Sequence, residues 1–389
     1  MRLGVALLCL FSTVLALGCS KRSRDTASAA RSPGSMAAAS ADQPPSSLAA
    51  TVCARGCDFT QIQQALQASP PGATITVSAG TYRENLVIEK AVVLRGAGLD
   101  QTRIESAKGG PVILAATPAE TAVALERLTI AGGARGGASG CIPQPEQCNN
   151  GVVLRGRVKA TLSRVRLSAN ADNGLALRDW AEATVEDSEI SRNQGGGASL
   201  GDAAKLTVRN SVVSNNPGRS IIAAGIRAND EAQLVLDAVT MSGNSWSGVW
   251  ALGSARVDIR NSVIKDTTGG LDQGSGVVAD QRAEVRMDNS VIENNGTDTR
   301  CLGRQWPSEG CQGVLAIGQS RVLIKDSTIR GNTDWGVALW RRQCGYTKDL
   351  SIAEVMLEGN IVIEGNMRSA NYAGQVCLPS LERGALVTR

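Results

Sequence analysis

An all-β solenoid of parallel strands is the fold class that this 389-residue sequence predicts, on three observations. A phrase recurs, as VRNSVVSNN from Val208, IRNSVIKDT from Ile259, MDNSVIENN from Met287 and IKDSTIRGN from Ile324. A glycine recurs with it, at Gly151, Gly174, Gly197, Gly225, Gly248, Gly276, Gly313 and Gly336, and the spacings of 23, 23, 28, 23, 28, 37 and 23 residues set a base period of 23. Apolar residues alternate at fixed offsets from that glycine. Similarity at a fixed period marks units that cannot bury an apolar face alone and do so by stacking.

Each coil reads as three short strands. The first and third residues after the glycine are apolar, as in Val152 and Leu154, Leu175 and Leu177, or Val337 and Leu339, which is the period of a strand with one face inward. A second alternating pair follows nine and eleven residues after the glycine, as in Leu206 and Val208, Val257 and Ile259, or Val322 and Ile324. The third strand supplies one inward residue per coil: Leu167, Ile190, Val213, Met241, Ile264, Ile292 and Ile329. The recurring phrase then falls at the bend between the second and third strands. There Asp187-Ser188, Asn210-Ser211, Asn261-Ser262, Asn289-Ser290 and Asp326-Ser327 place residues that tolerate left-handed backbone. A further row, Asn170, Asn193, Asn216, Asn244, Asn295 and Asn332, ends the third strand and is expected to bond from coil to coil as an asparagine ladder.

Residues 58 to 98 read DFTQIQQALQASPPGATITVSAGTYRENLVIEKAVVLRGAG: a short helix with Ile62, Ala65 and Leu66 on its apolar face, a Pro-Gly turn, a strand, then Gly80-Thr81-Tyr82-Arg83-Glu84. This stretch resembles the opening segment of right-handed parallel β-helix proteins of the pectin-lyase-like superfamily. With the 23-residue coils, the resemblance covers nearly all of residues 55 to 366. It implies a right-handed parallel β-helix of three-strand coils with a short N-terminal capping helix. That scaffold carries lyases, hydrolases, esterases, adhesins and inert repeats, so the resemblance speaks for fold and not for chemistry.

The chain opens MRLGVALLCLFSTVLALGCS, with Arg2 followed by an apolar run from Leu3 to Leu17 that is too short to span a bilayer and is followed by small residues. This reads as an export signal. Ala16-Leu17-Gly18-Cys19 resembles the lipobox of bacterial lipoproteins, which implies cleavage before Cys19 and a lipid on its thiol; an ordinary signal peptide is the alternative. The expected division is therefore a signal peptide over 1–18, a flexible tether over 19–51 rich in Ala, Ser and Pro, and the β-helix over 52–389. Ser20 after the lipidated cysteine points to the outer membrane, with the β-helix in the periplasm or at the surface. The formal charge is +4, of which residues 1 to 51 supply three, so the folded body is nearly neutral and no nucleic-acid partner is expected.

Eight cysteines remain in the exported body, and an even number there reads as disulfides, with zinc thiolates as the competing use. Proximity favours Cys53 with Cys57, Cys141 with Cys148, Cys301 with Cys311 and Cys344 with Cys377. The sequence holds no histidine. That removes Ser-His-Asp and Cys-His nucleophiles and imidazole-ligated metals, and leaves Asp, Glu, Lys, Arg or Tyr for any catalysis.

Insertions gather on one edge, at 134–150, 217–224, 268–275 and 296–312, each between the end of a third strand and the next glycine. Five of the six tryptophans lie beside that edge: Trp246, Trp250, Trp306, Trp335 and Trp340. Outward tryptophans stack on sugar rings, and the competing reading is that they hold the inserted loops down. A second constellation sits where the first strand ends: Asp179, Asp202 and Asp230 on successive coils, with Arg178 and Arg227. Stacked carboxylates either bind a cation such as calcium or support acid/base work, with an arginine as base. The competing reading is a bend that wants Gly or Asp, since Gly156, Gly253 and Gly318 share the position.

Resemblances to the enzymes of the scaffold are partial. Gly80-Thr81-Tyr82-Arg83-Glu84 and Leu302-Gly303-Arg304-Gln305-Trp306 resemble pectin methylesterase motifs, but the motifs that carry that family's catalytic aspartates are absent, as are the galacturonan-hydrolase signatures. The expectation is an envelope protein that binds polysaccharide or another envelope component along the first-strand groove. A polysaccharide lyase or hydrolase is the main alternative, and a passive adhesin or spacer the second.

Overall fold

In the computed structural model, residues 48–132, 148–218, 224–269, 274–297, 310–346, 348–366 and 375–378 are described, and among them thirty strands join one sheet in which every named pairing is parallel. Strands stack in three rows. In the first row, Leu175–Leu177 lies on Val152–Leu154 and Ala198–Leu200 lies on Leu175–Leu177 in turn. In the second, Glu182–Glu186 pairs with Lys205–Arg209, which pairs with Gln233–Asp237. The third row runs through Glu189–Ser191, Val212–Ser214 and Thr240–Ser242. Inward residues of all three rows merge into a single apolar core, with Leu177, Val185 and Ile190 of one coil fully buried beside Leu200, Val208 and Val213 of the next.

Three columns of left-handed residues turn the chain between rows. Asp187, Asn210, Asn261, Asn289 and Asp326 have φ between 46° and 50°. Beside them, the serines of the recurring phrase act coil to coil: Ser188 N–H donates to Ser211 Oγ, Ser262 N–H to Ser290 Oγ and Ser290 N–H to Ser327 Oγ. Each serine hydroxyl also donates to the carbonyl two residues back, as Ser211 does to Arg209. The phrase is thus one left-handed residue followed by one hydroxyl that replaces a missing backbone partner.

The periodic glycine has a steric cause. A Cβ on Gly197 would stand 2.4 Å from the carbonyl oxygen of Gly225 and 2.8 Å from Val213; on Gly313 it would stand 2.6 Å from Gly336 O and 2.8 Å from both Asn332 and Ile329. The first strand of each coil therefore enters between the next coil's backbone and its own third-strand side chain, where only hydrogen fits.

The N-terminal end is covered by the helix Ile62–Ala68, which buries Ile62, Ala65 and Leu66. Its first turn has no cap of its own, and Glu84 supplies one by accepting the N–H groups of Ile62 and Gln63 at 2.9 Å each. The Gly-Thr-Tyr-Arg-Glu stretch that resembles an esterase motif thus has a structural task here. One boundary is corrected: Ala49–Val52 is already a strand, paired with Thr74–Val77, so the body begins before residue 52. Ala50 and Val52 face inward, but four residues carry too little alternation to be read from sequence.

Cys53 is bonded to Cys57 and Cys344 to Cys377. Cys311 is disulfide-bonded too, whereas Cys301, its expected partner, lies outside the described residues. The 141–148 pairing also falls there, since Cys141 is not among the described residues; Cys148 is buried.

Candidate functional site

The first-strand row is expected to bury one face; its outward positions are buried as well, except Arg227 and Trp250, which are half-buried. Its outward positions run in register through Val153, Ala176, Ser199, Arg227, Trp250, Val278, Leu315 and Ala338. The apolar end of this column forms a second small core in which Val278, Leu315 and Ala338 pack with Trp335, Cys344 and Tyr346. Trp335 is 8% exposed and donates its indole N–H to the carbonyl of Cys344 at 3.2 Å, while Trp340 stacks on Tyr346 at 4.7 Å. The Cys344–Cys377 disulfide holds that segment in place. Trp335 is therefore a packing residue, which corrects its assignment as a sugar-stacking one. Trp306 lies outside the described residues.

The polar centre of the same column is different in kind. Arg227 points its guanidinium over the Trp250 ring at 5.6 Å and donates from Nε to Asn229 Oδ1 at 2.7 Å. Trp250 in turn meets Trp246 at 5.2 Å between ring centroids. Trp246 is buried and, with φ of 73°, takes a left-handed conformation that costs a bulky residue energy. The indole nitrogens of Trp246, Trp250 and Trp340 are buried without a hydrogen-bond partner. Two coils before Arg227, Arg178 reaches the coil between them, donating to the carbonyls of Leu177 and Ser199 at 2.7 and 3.0 Å and to the Ser199 hydroxyl at 3.2 Å. Burial, then the neighbouring charge of Arg178, pushes the Arg227 guanidinium down to about 10, against a smaller pull upward from Asp230. Two cations are thus gathered on a dry, aromatic surface.

The aspartate row is brought together, but its carboxylates serve the bend. Asp179, Asp202 and Asp230 have φ of 61°, 56° and 58°. Asp179 Oδ2 accepts the Gly156 N–H and Arg155 Nε, both at 3.0 Å; Asp202 accepts the Asp179 N–H at 2.9 Å, and Asp230 the Asp202 N–H at 3.1 Å. Each carboxylate therefore ties its own coil to the previous one. Among the described residues no three Asp, Glu, His or Cys side chains are grouped to hold a metal ion.

Sequence reasoning passes over Trp180, the sixth tryptophan. It is 61% exposed, on the bend after Asp179, with the Arg157 guanidinium 5.5 Å from its ring centre. Only its lack of an inward offset in the coil marked it.

Residues 126–225, 150–334 and 224–378 each match the family described as right handed beta helix region. Among solved structures, the A-module of the mannuronan C-5 epimerase AlgE4 of Azotobacter vinelandii is similar, at 15% identity over 82% of this chain and 93% of that chain, with a TM-score of 0.50. The A-module of AlgE6 from the same organism gives 16%, 82%, 93% and 0.51. The polygalacturonase of Erwinia carotovora gives 13% identity over 87% of this chain and 98% of its own, with a TM-score of 0.46. No curated protein matches the chain. At these identities the structural likeness speaks for fold, and the family match covers well over half of the sequence: the chain belongs to the right-handed β-helix family.

Proposed function

We propose that this chain is a polysaccharide-binding protein of the cell envelope, held by a lipid on Cys19 and a tether that ends before the strand Ala49–Val52, and that it takes an acidic polysaccharide on its first-strand face. The observation that carries this reading is Arg227 over the Trp250 ring on the first-strand face, with Arg178 near enough for the two charges to repel. Guanidinium groups gathered on one face suit the carboxylates of an acidic chain, which they hold by charge-assisted hydrogen bonds. Trp250 offers an apolar face for a sugar ring at the same place. The similar A-modules are named as epimerases of mannuronan, a polysaccharide, which supports the ligand class.

Affinity electrophoresis of the lipidated protein in gels containing polymannuronate, polygalacturonate or neutral glycans tests this. Retardation by an acidic polymer that Arg227→Gln relieves is the expected result, and equal mobility in all gels would sink the proposal. Loss of membrane association in Cys19→Ala tests the anchor; an outer-membrane position follows from Ser20 and is checked by fractionation.

A lyase is the second reading, favoured by the lowered pKa of Arg227, which brings a guanidinium nearer to serving as a base. Incubation with the same polymers, with and without a chelator, separates the two: unsaturated ends released by the wild type and not by Arg227→Gln would make it an enzyme.

A further inference from the structure

Along the bend from the first strand into the second, four successive coils place Trp180, Ala203, Glu231 and Ser254 one residue past the left-handed positions Asp179, Asp202, Asp230 and Gly253. Their N–H groups all donate to the preceding coil, Trp180 to Gly156, Ala203 to Asp179, Glu231 to Asp202 and Ser254 to Asp230. The four are therefore held in line at the spacing of the coils, about 4.8 Å. Two residues further along, Glu182, Lys205 and Gln233 stand in register with one another at the start of the second strand. Ala203 and Ser254 are small among larger neighbours, and the result is an open depression of about 390 Å³ with Trp180 at one end.

This groove differs from the Arg178–Arg227 face in charge. Lys205 is paired with Glu182 at 2.9 Å, and Arg256 at the far end faces Glu284 at 3.7 Å, so its cations are matched by carboxylates. It offers a rigid row of donors and acceptors without a net field to recruit a polyanion. It also offers an exposed indole, the only tryptophan among the described residues with more than half its surface in water, already braced by Arg157. Leaving a large ring exposed forfeits the stabilisation that burial brings, which a bound apolar face restores.

We infer that this groove is a second saccharide site and that it takes an uncharged glycan. One pyranose ring lies on Trp180, and hydroxyls of the following rings bond to Glu182, Glu231, Gln233 and Ser254. Because the row is fixed by backbone bonds between coils, little ordering is needed on binding. The inference shares with the reading above only the premise that the chain handles polysaccharide; the residues and the ligand charge are different.

Calorimetric titration of the full chain with cello-, malto- and xylo-oligosaccharides, and with oligomannuronate, tests it. Expected is binding of a neutral oligosaccharide that Trp180→Ala weakens about tenfold or more, that Trp180→Phe largely retains and that Arg227→Gln leaves unchanged. Trp180 is exposed, so its variants keep the fold, and circular dichroism verifies that. Silence with every neutral oligosaccharide, or unchanged affinity in Trp180→Ala, overturns the inference. Loss of oligomannuronate binding alone would overturn the first-strand proposal and leave this one standing.

Discussion

Asn216 and Asn244, one coil apart, are joined side chain to side chain: Nδ2 of the first donates to Oδ1 of the second at 2.8 Å. The same Oδ1 accepts the backbone N–H of Asn216 at 3.3 Å, and Asn216 Nδ2 also reaches the Ile190 carbonyl at 3.2 Å. Asn216 is 1% exposed, so these bonds take the place of water. The pattern runs from Asn170 to Asn193 and Asn216, and again from Asn295 through Asn332 to Asn366 and Gln375. It is interrupted once, at Thr267, whose N–H still donates to Asn295.

Replacing Asn216 by alanine leaves the N–H of Asn193 and the carbonyl of Ile190 without their partners in a dry interior. An unsatisfied buried group costs more than the bond it lost, and two such groups put the loss at about 2–3 kcal/mol. Chemical denaturation of Asn216→Ala should show this as a lower midpoint, and an unchanged midpoint would mean that the ladder is not stabilising.

The coil glycines give a sharper contrast. Gly197→Ala puts a methyl 2.4 Å from a carbonyl oxygen that is fixed by parallel strand pairing, and relief requires two coils to separate. Roughly 3 kcal/mol or more is expected. Gly98→Ala meets only the flexible Gln101 side chain at 3.5 Å and should stay within about 0.5 kcal/mol of the wild type. Thermal melts of the two variants side by side check the difference.

This contrast also shows what a sequence reveals. Gly197 and Asn216 recur because each coil meets the same neighbour in the same way, and an interaction repeated at a fixed spacing writes itself into the period. The inward Leu206 and Val208 are legible for the same reason. Arg178 and Arg227 were both singled out, yet their electrostatic meeting beside Trp250 was not, because outward residues obey no period and an insertion shifts the numbering between those coils. Trp335 and Trp250 occupy the same edge in the sequence and pack against the same small core; only the structure tells that Trp335 is buried within it while Trp250 lies half-buried at its border, with an arginine over its ring. Asp179 and Asp202 read in the sequence either as a charged site or as a bend, and the left-handed backbone with the two accepted N–H groups shows what their carboxylates bond to.

Asp280 gives a pH-dependent prediction. Burial raises its pKa, and the hydrogen bond from the Gln281 N–H offsets only part of that. A carboxyl with a raised folded pKa favours the fold below its unfolded value of 3.8, and that contribution is lost as pH climbs through the folded value. Asp280→Asn, which cannot ionise, should therefore be more stable than wild type at neutral pH, by roughly 0.5 kcal/mol after solvent screening. The gain should vanish in acid below the unfolded pKa. Urea midpoints measured across this range check the sign; a gain that persisted in acid would point to packing instead of charge.

Arg227 should trade stability for binding. Its guanidinium is held down to about 10 by burial and by Arg178, so at neutral pH the charged form carries a penalty in the folded state. Between that value and the higher, ordinary one of the unfolded chain, the unfolded chain holds the proton more tightly than the fold does, and stability from this group rises with pH across the interval. Arg227→Gln removes the charge while keeping a donor for Asn229, and the variant should gain roughly 1 kcal/mol at neutral pH even though its contact with Trp250 is lost. The same variant should bind acidic polysaccharide more weakly, whereas Arg178→Gln should lose binding with little gain in stability, because Arg178 is tied to two backbone carbonyls. Melting temperature and polymer affinity measured on both variants decide it. Unchanged polymer affinity in both variants would overturn the argument for an anionic ligand at this face.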